Sequence, residues 1–387
     1  MKPIRTLARL WTAYGQPAAP AAPPACRPNT FIVWEPCTYS HAEVVPGFVK
    51  YLLDLGYEVC VCAAPQRFDE GLFDRFTDPR IQLCRMPRRM LLRHFRRHGL
   101  GAAAGILITT ARKISGANDY AMERRLFAAT SPHAPVLLVE HDVRRPADHG
   151  ALTREIITLR QVHYRDAATT VVNPHHFGSV AVRAKHPAIT RFITIGALRS
   201  ARRNTDLLVE SVERLRAAGH TGFEVTVIGR GSLRRVPAAI RDHLRVLGPV
   251  DFRGLYREMD AADFMLPLLD PHNPRHARYL TTGTSGSFQL MFGFLRPCLI
   301  ERTFAPDHGL DTGNAVVYDG NPGLVAAMAA AIRMSPGHYA ALRAALAQSA
   351  DRLYAASLDN LRRLVSTAER HAMADSRLGT LASSAAR

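Results

Sequence analysis

Short apolar runs recur along the chain, each closed by a glycine, a proline or a charged residue, with amphipathic stretches between them. Phe192 to Ile195 stops at Gly196, and a basic loop with Arg199, Arg202 and Arg203 follows. Beyond it Leu207, Leu208, Ser211, Val212, Leu215 and Ala218 fall at steps of three and four, the spacing of one helix face. A second run, Phe223 to Ile228, ends at Gly229-Arg230-Gly231. The order predicts a βαβ unit with a glycine closing each strand. A similar unit opens at Thr30: FIVWEP as a strand, the loop Cys37–Glu43, a helix from Val44 to Leu55 capped by Gly56, and YEVCVCAAP (57–65) as the next strand. Further first-domain strands are expected at 81–86, 136–140 and 169–173, and second-domain strands at 250–254, 263–268, 297–300 and 315–320. The helical stretch 322–370 closes the fold.

This alternation predicts an α/β protein of two doubly wound, Rossmann-like domains. The boundaries read from it are an amphipathic segment and Pro/Ala-rich linker over 1–28, a first domain over 29–185, a second over 186–370, and a disordered tail over 371–387. The 387 residues suffice for two cores. The crossing between domains is expected after Asn173-Pro174.

Composition alters the picture in one respect. Fifty Lys and Arg against 33 Asp and Glu leave +17, a field that attracts polyanions such as nucleic acid, an anionic membrane or phosphorylated substrates. The segment 85–99 carries six arginines and no acid, with Met90, Leu91, Leu92 and Phe95 among them. It is either a helix packed in its domain with arginines in water or a contact for anionic headgroups. No run is long and apolar enough to span a membrane, and the N-terminus lacks the apolar core and cleavage site of a secretion signal. The six scattered cysteines read as reduced core thiols.

In a parallel sheet, ligands bind beyond the carboxyl ends of the strands. There Gly196, Gly229 and Gly231 let backbone N–H groups approach a phosphate, and Arg199 and Arg203 supply forks that match phosphate oxygens. Thr284-Ser285-Gly286-Ser287 opens a predicted helix. Its hydroxyls, glycine and free N–H groups suit a diphosphate, although a single serine N-cap needs no ligand.

The series strand, glycine, basic loop, helix, strand, Gly-x-Gly resembles the nucleotide-sugar-binding domain of glycosyltransferases of the GT-B fold. The resemblance continues through 250–268 and 279–300 and covers about 190–320. It implies two domains facing a cleft and a nucleoside-diphosphate sugar as donor. It places Gly196, Arg199, Arg203, Gly229, Gly231, Tyr256, Thr284, Ser285, Gly286, Ser287 and Gln289 at the donor, with Arg203 best matching the basic residue that neutralises the leaving diphosphate. Many retaining members carry two glutamates eight residues apart around this helix, where this chain reads Thr281 and Gln289. It is closer to divergent bacterial polysaccharide transferases with Ser-Gly-Ser loops.

A transferase that inverts its sugar needs a general base for the acceptor hydroxyl. The loop holding Ser40, His41 and Glu43 and the loop holding Glu140, His141 and Asp142 both end strands at the cleft. His41 or Glu43 is the first choice and Asp142 the second. Adjacent His175 and His176 point apart, and no carboxylate-x-carboxylate motif ends a strand, so neither a metal nor another cofactor is expected. The resulting expectation is a cytoplasmic glycosyltransferase, peripheral on the inner face of the membrane, with a lipid-linked or glycan acceptor and an anionic membrane surface as partners. A nucleotide-sugar 2-epimerase of the same fold is the alternative. A nucleic-acid-binding protein is a third reading, and no nucleic-acid motif supports it.

Overall fold

A computed structural model of the chain describes residues 26–37, 41–110, 113–114, 117–118, 131, 134–143, 156–164, 167–198, 202–234 and 236–385. The N-terminal amphipathic segment, most of its linker, Ser40 and Arg199 lie outside these residues.

The first domain is a seven-stranded parallel sheet of β1 (Thr30–Trp34), β2 (Glu58–Ala63), β3 (Ile81–Arg85), β4 (Gly105–Ile108), β5 (Val136–Glu140), β6 (Ile156–Thr158) and β7 (Thr170–Val171). Its spatial order is β7-β6-β5-β4-β1-β2-β3, with β1 paired in parallel to both β2 and β4. The chain reverses its winding at β1, and the cleft end of β1 is therefore where a doubly wound sheet binds its ligand. Two strands, β4 and β6, were not anticipated: each is a three- or four-residue apolar run, too short to show a period of its own. Helix α1 (Val45–Asp54) buries Val45, Phe48, Val49, Leu52 and Leu53 against this sheet. Helix α2 (Arg88–His98) covers the other face. Only its Leu91 and Phe95 are buried, Phe95 set edge-on to Trp34 at 5.6 Å, while Arg89, Arg93, Arg96 and Arg97 stand exposed. Cys60, Cys62 and Cys84 pack in the same cluster as free thiols.

The second domain repeats the plan with β8 (Thr190–Ile195), β9 (Phe223–Ile228), β10 (Leu244–Gly248), β11 (Phe264–Met265), β12 (Leu299–Glu301) and β13 (Val316–Tyr318). The four strands β10-β9-β8-β11 form one sheet, β12 and β13 pair separately, and a parallel bridge between Met265 and Cys298 joins the two groups. Helices α3 (Thr205–Ala217), α4 (Phe252–Ala261), α5 (Gly286–Phe294), α6 (Gly323–Arg333) and α7 (Pro336–Ala385) complete it. The strand expected at 250–254 is instead the start of α4. Asp251 caps that helix, accepting from the Gly254 N–H at 2.7 Å, and the strand lies just upstream. Helix α5 is buried all round, as a helix enclosed by two domains must be.

Two boundaries need correction. Helix α7 continues to Ala385, over residues expected to be a disordered tail. It also leaves its own domain: Tyr339 and Leu342 belong to the second core, whereas Leu361, Leu364, Val365 and Ala368 complete the first. Asn360 donates to the Val171 carbonyl at 2.9 Å, and the Ser357 hydroxyl accepts from the Asn173 N–H at 3.0 Å. The chain therefore crosses between domains twice. Among the described residues no helix is long and apolar enough to cross a membrane.

Candidate active site

The carboxyl ends of β8 and β9 meet through backbone alone. Gly196 N–H donates to Ile228 at 2.9 Å and Leu198 N–H to Arg230 at 2.8 Å. Gly229 and Gly231 have φ of +148° and +119°, and a Cβ on Gly229 would lie 1.6 Å from the Gly196 carbonyl oxygen. These glycines are thus required first for the approach of one loop to the other. Gly229→Ala is expected to lower the unfolding free energy by at least about 1–3 kcal/mol, the scale of a forced positive φ, before the steric clash is counted. Chemical denaturation measures this, and an alanine variant of unchanged stability would refute the packing described.

Arg203 closes the β8 loop, and its side chain is buried, 4% exposed. Its Nε and Nη2 donate to the Ile195 carbonyl at 3.1 and 2.9 Å, and Nη1 donates to the Arg202 carbonyl at 2.7 Å. Nη2 also donates to Ser285 Oγ at 2.9 Å and Ser287 Oγ at 2.7 Å. All of these hydrogen-bond partners are neutral oxygens. Burial pulls its pKa down, against the raising influence of the neighbouring Tyr279 hydroxyl. The field extends outward. Burial raises the Tyr279 phenol, but Arg203, Arg202 and Arg278 around it outweigh that and leave it below its ordinary value.

Ser285 is the N-cap of α5 and accepts from the Ser287 N–H. At the next position, Gly286, a Cβ would come within 2.6 Å of Glu43 Oε1. A carboxyl group of the first domain thus sits against the N-terminus of a helix of the second, where an anion is favoured. Glu43 lies on the turn Ala42–Val44, and its pKa is raised by burial, against the lowering influence of His141 and Arg67. His41 adopts φ +74°, and its ring lies 4.2 Å from that of His141, tilted by 46°. Burial, then Arg202 and Arg278, depress His41 to about 4. Burial, then His41, depresses His141 to about 3. Both rings are neutral near pH 7. His141 Nε2 lies 2.8 Å from the Thr109 carbonyl, an acceptor only, so Nε2 carries the proton and Nδ1 keeps the lone pair. Glu35, at the end of β1, accepts from Thr109 and Thr110 hydroxyls at 2.7 and 3.0 Å, and burial raises it to about 7.

Asp142 plays another part. It pairs with Arg278 at 2.8 Å and accepts from the Thr282 hydroxyl at 3.0 Å. Its backbone bridges Gly283, while Val143 and Thr284 N–H groups bond across at 3.0 and 3.2 Å. This carboxylate fastens the 282–284 loop to the first domain. Two expected donor residues are likewise placed elsewhere. Tyr256 is 1% exposed, lies 5.0 Å beneath the Arg75 guanidinium and donates to Leu72, so it packs the domains together. Gln289 is fully buried on the opposite face of α5 from Ser287 and lines a separate cavity. Thr281, its expected counterpart, bonds the Ala277 carbonyl of its own short helix.

The site thus assembles His41, Glu43, Gly196, Arg203, Ser285, Gly286 and Ser287 around one end of α5, with Thr284 on the loop before it. Sequence reading did not single out Glu35, Arg278 or Tyr279. Only their position at strand or loop ends facing the cleft marked them. His175 and His176 point apart, His175 Nε2 toward the Ala350 carbonyl at 3.2 Å and His176 against the Phe76 ring. Among the described residues no group of three or more metal-binding side chains converges.

The fold matches solved structures over most of its length. AviGT4, described as a glycosyltransferase of avilamycin A biosynthesis, is 13% identical with TM-score 0.53, covering 89% of this chain and 98% of its own. HepE of Anabaena, solved with UDP and glucose, is 10% identical with TM-score 0.56, covering 87% and 99%. It was also solved with UDP-glucose. No family model matches the sequence, and no curated protein matches it. The architecture is the two-domain GT-B fold of glycosyltransferases.

Proposed function

We propose that this protein is a glycosyltransferase that moves a sugar from a nucleoside-diphosphate donor to a lipid-linked or glycan acceptor in bacterial surface polysaccharide synthesis. The observation that carries the reading is Arg203, a buried guanidinium joined to both serines at the start of α5. A diphosphate there meets a cation, the N-terminal end of a helix and hydroxyls together. Structures of this fold holding UDP and glucose support the assignment. Arginine supplies the charge neutralisation, so the reading needs no metal. Glu43, from the facing domain, takes the acceptor hydroxyl proton as the acceptor oxygen bonds the anomeric carbon and the diphosphate leaves.

Nucleoside diphosphates and their sugars should raise the melting temperature, by the amount a ligand of the folded state alone adds to stability. A flat response to the whole panel, with folding intact, would remove the proposal.

The acceptor side brings in the membrane. Leu91 and Phe95 of α2 are committed to the core, so attraction to a lipid surface falls to the exposed arginines, each contributing on the order of 1 kcal/mol near anionic headgroups. The protein should sediment with anionic vesicles at low salt and leave them as the Debye length shortens. Equal, salt-independent binding to neutral vesicles would contradict this.

A further inference from the structure

A cavity of about 420 Å³ lies on the face of α5 turned away from Ser287, within the range of small-molecule pockets. Arg160 of the first domain, Phe288, Gln289 and Phe292 of α5, His308 and Asn360 line it. Three of these side chains are buried and left with polar atoms unbonded. Gln289 is 0% exposed, and neither its amide oxygen nor its nitrogen has a partner. Arg160 Nη2 and His308 Nε2 are equally bare. Arg160 is held in place by its other nitrogens, Nε donating to Gly283 at 3.0 Å and Nη1 to Gln161 at 2.9 Å. The His308 ring lies flat on Phe288 with centroids 3.5 Å apart.

Buried polar groups are ordinarily hydrogen-bonded, and three orphans on one wall mark where a partner belongs. Their chemistry narrows it. The amide offers an N–H donor group and a carbonyl acceptor side by side, matching hydroxyls that both donate and accept. The imidazole is kept neutral by burial and by Arg160, so it too bonds without charge. Arg160 is a cation facing inward, whereas Asp307 and Arg352 at the rim are exposed and of opposite sign. The two phenyl rings give apolar walls. Gln289 lines the cavity, and rotation about its terminal torsion, broad in glutamine, turns either the amide oxygen or the nitrogen toward it.

We infer that this interdomain cavity binds a small hydroxylated carboxylate the size of one sugar-acid ring, its carboxylate on Arg160 and its hydroxyls on Gln289 and His308. Thr284 borders both sites, but the groups named here are distinct from Ser285, Ser287 and Arg203 of the donor reading, which occupy the other face of the helix.

The test uses the full chain with D-galacturonate, D-galactose and acetate as probes, followed by calorimetry and thermal shift. Galacturonate should bind and stabilise, galactose less, acetate least. Gln289→Leu removes an unsatisfied amide, so the unliganded variant should be as stable as the parent or more so, with galacturonate bound roughly tenfold or more weakly and the response to UDP retained. Gln289→Met serves where leucine disturbs packing. No response to galacturonate, acetate as effective as galacturonate, or unchanged affinity in both variants would overturn the site and leave a water-filled cavity. Loss of the UDP response alone would count against the donor reading and leave this one standing.

Discussion

Arg203→Met is expected to fold and to lose nucleoside-diphosphate binding. The side chain is of similar length and apolar, so it fills the buried channel while removing every donor. The Ile195 carbonyl and the Ser285 and Ser287 hydroxyls lose their shared partner, at roughly 1–3 kcal/mol for each polar group left unsatisfied, and the melting temperature falls. Hydrogen bonds to charged groups contribute about 1.5–3 kcal/mol, so UDP affinity should fall roughly 10- to 100-fold on a folded background. Arg203→Lys should lie between, since an ammonium cannot span the carbonyl and both hydroxyls as a planar fork does. Titration calorimetry at a temperature where each variant is folded separates affinity from stability. Full UDP affinity in folded Arg203→Met would place the diphosphate elsewhere.

Glu43→Gln should lower turnover by roughly 10²–10⁴-fold, the range of a lost general base, with donor affinity little changed. The pH dependence identifies the carboxylate. Burial raises its folded pKa above the ordinary glutamate value, and a base works only when deprotonated. Wild-type turnover should therefore rise with pH through a midpoint above the usual carboxylate range, and the glutamine variant should lack that acid limb. Stability runs the opposite way. The preference for the protonated group is fully expressed below the unfolded pKa and is lost as pH rises through the folded one, so Glu43→Gln should gain stability over wild type toward alkaline pH. A variant with the parental acid limb would shift the base to another group.

Much of the donor half was legible because its pattern is local. The run Phe192–Ile195, the glycine, the periodic leucines and the run Phe223–Ile228 fix a βαβ unit within forty residues or so, and Ser285 declares a helix start by chemistry alone. The roles of Glu43, Tyr256 and Gln289 were not local. Glu43 matters through Gly286, a neighbour in the other domain. Tyr256 is decided by Arg75 and Leu72. For Gln289 it is the angle around a fully buried helix that decides, and a helix apolar on every side offers no amphipathic stripe from which to read which face meets which neighbour. Strands β4 and β6 were missed for a related reason: a central parallel strand is apolar on both faces, and at three or four residues it shows no alternation.

The return of α7 to the first domain bears on how the chain acquires its structure during synthesis. Leu361, Leu364, Val365 and Ala368 fill the core of a domain whose strands are translated first. That domain emerges from the ribosome with a gap in its hydrophobic interior, which closes only when the last tenth or so of the polypeptide arrives. Until then its apolar edge is open to chaperones or to the same edge of a nascent neighbour. A nonsense mutation near residue 350 thus removes no catalytic side chain, yet it should yield a product that aggregates or is degraded.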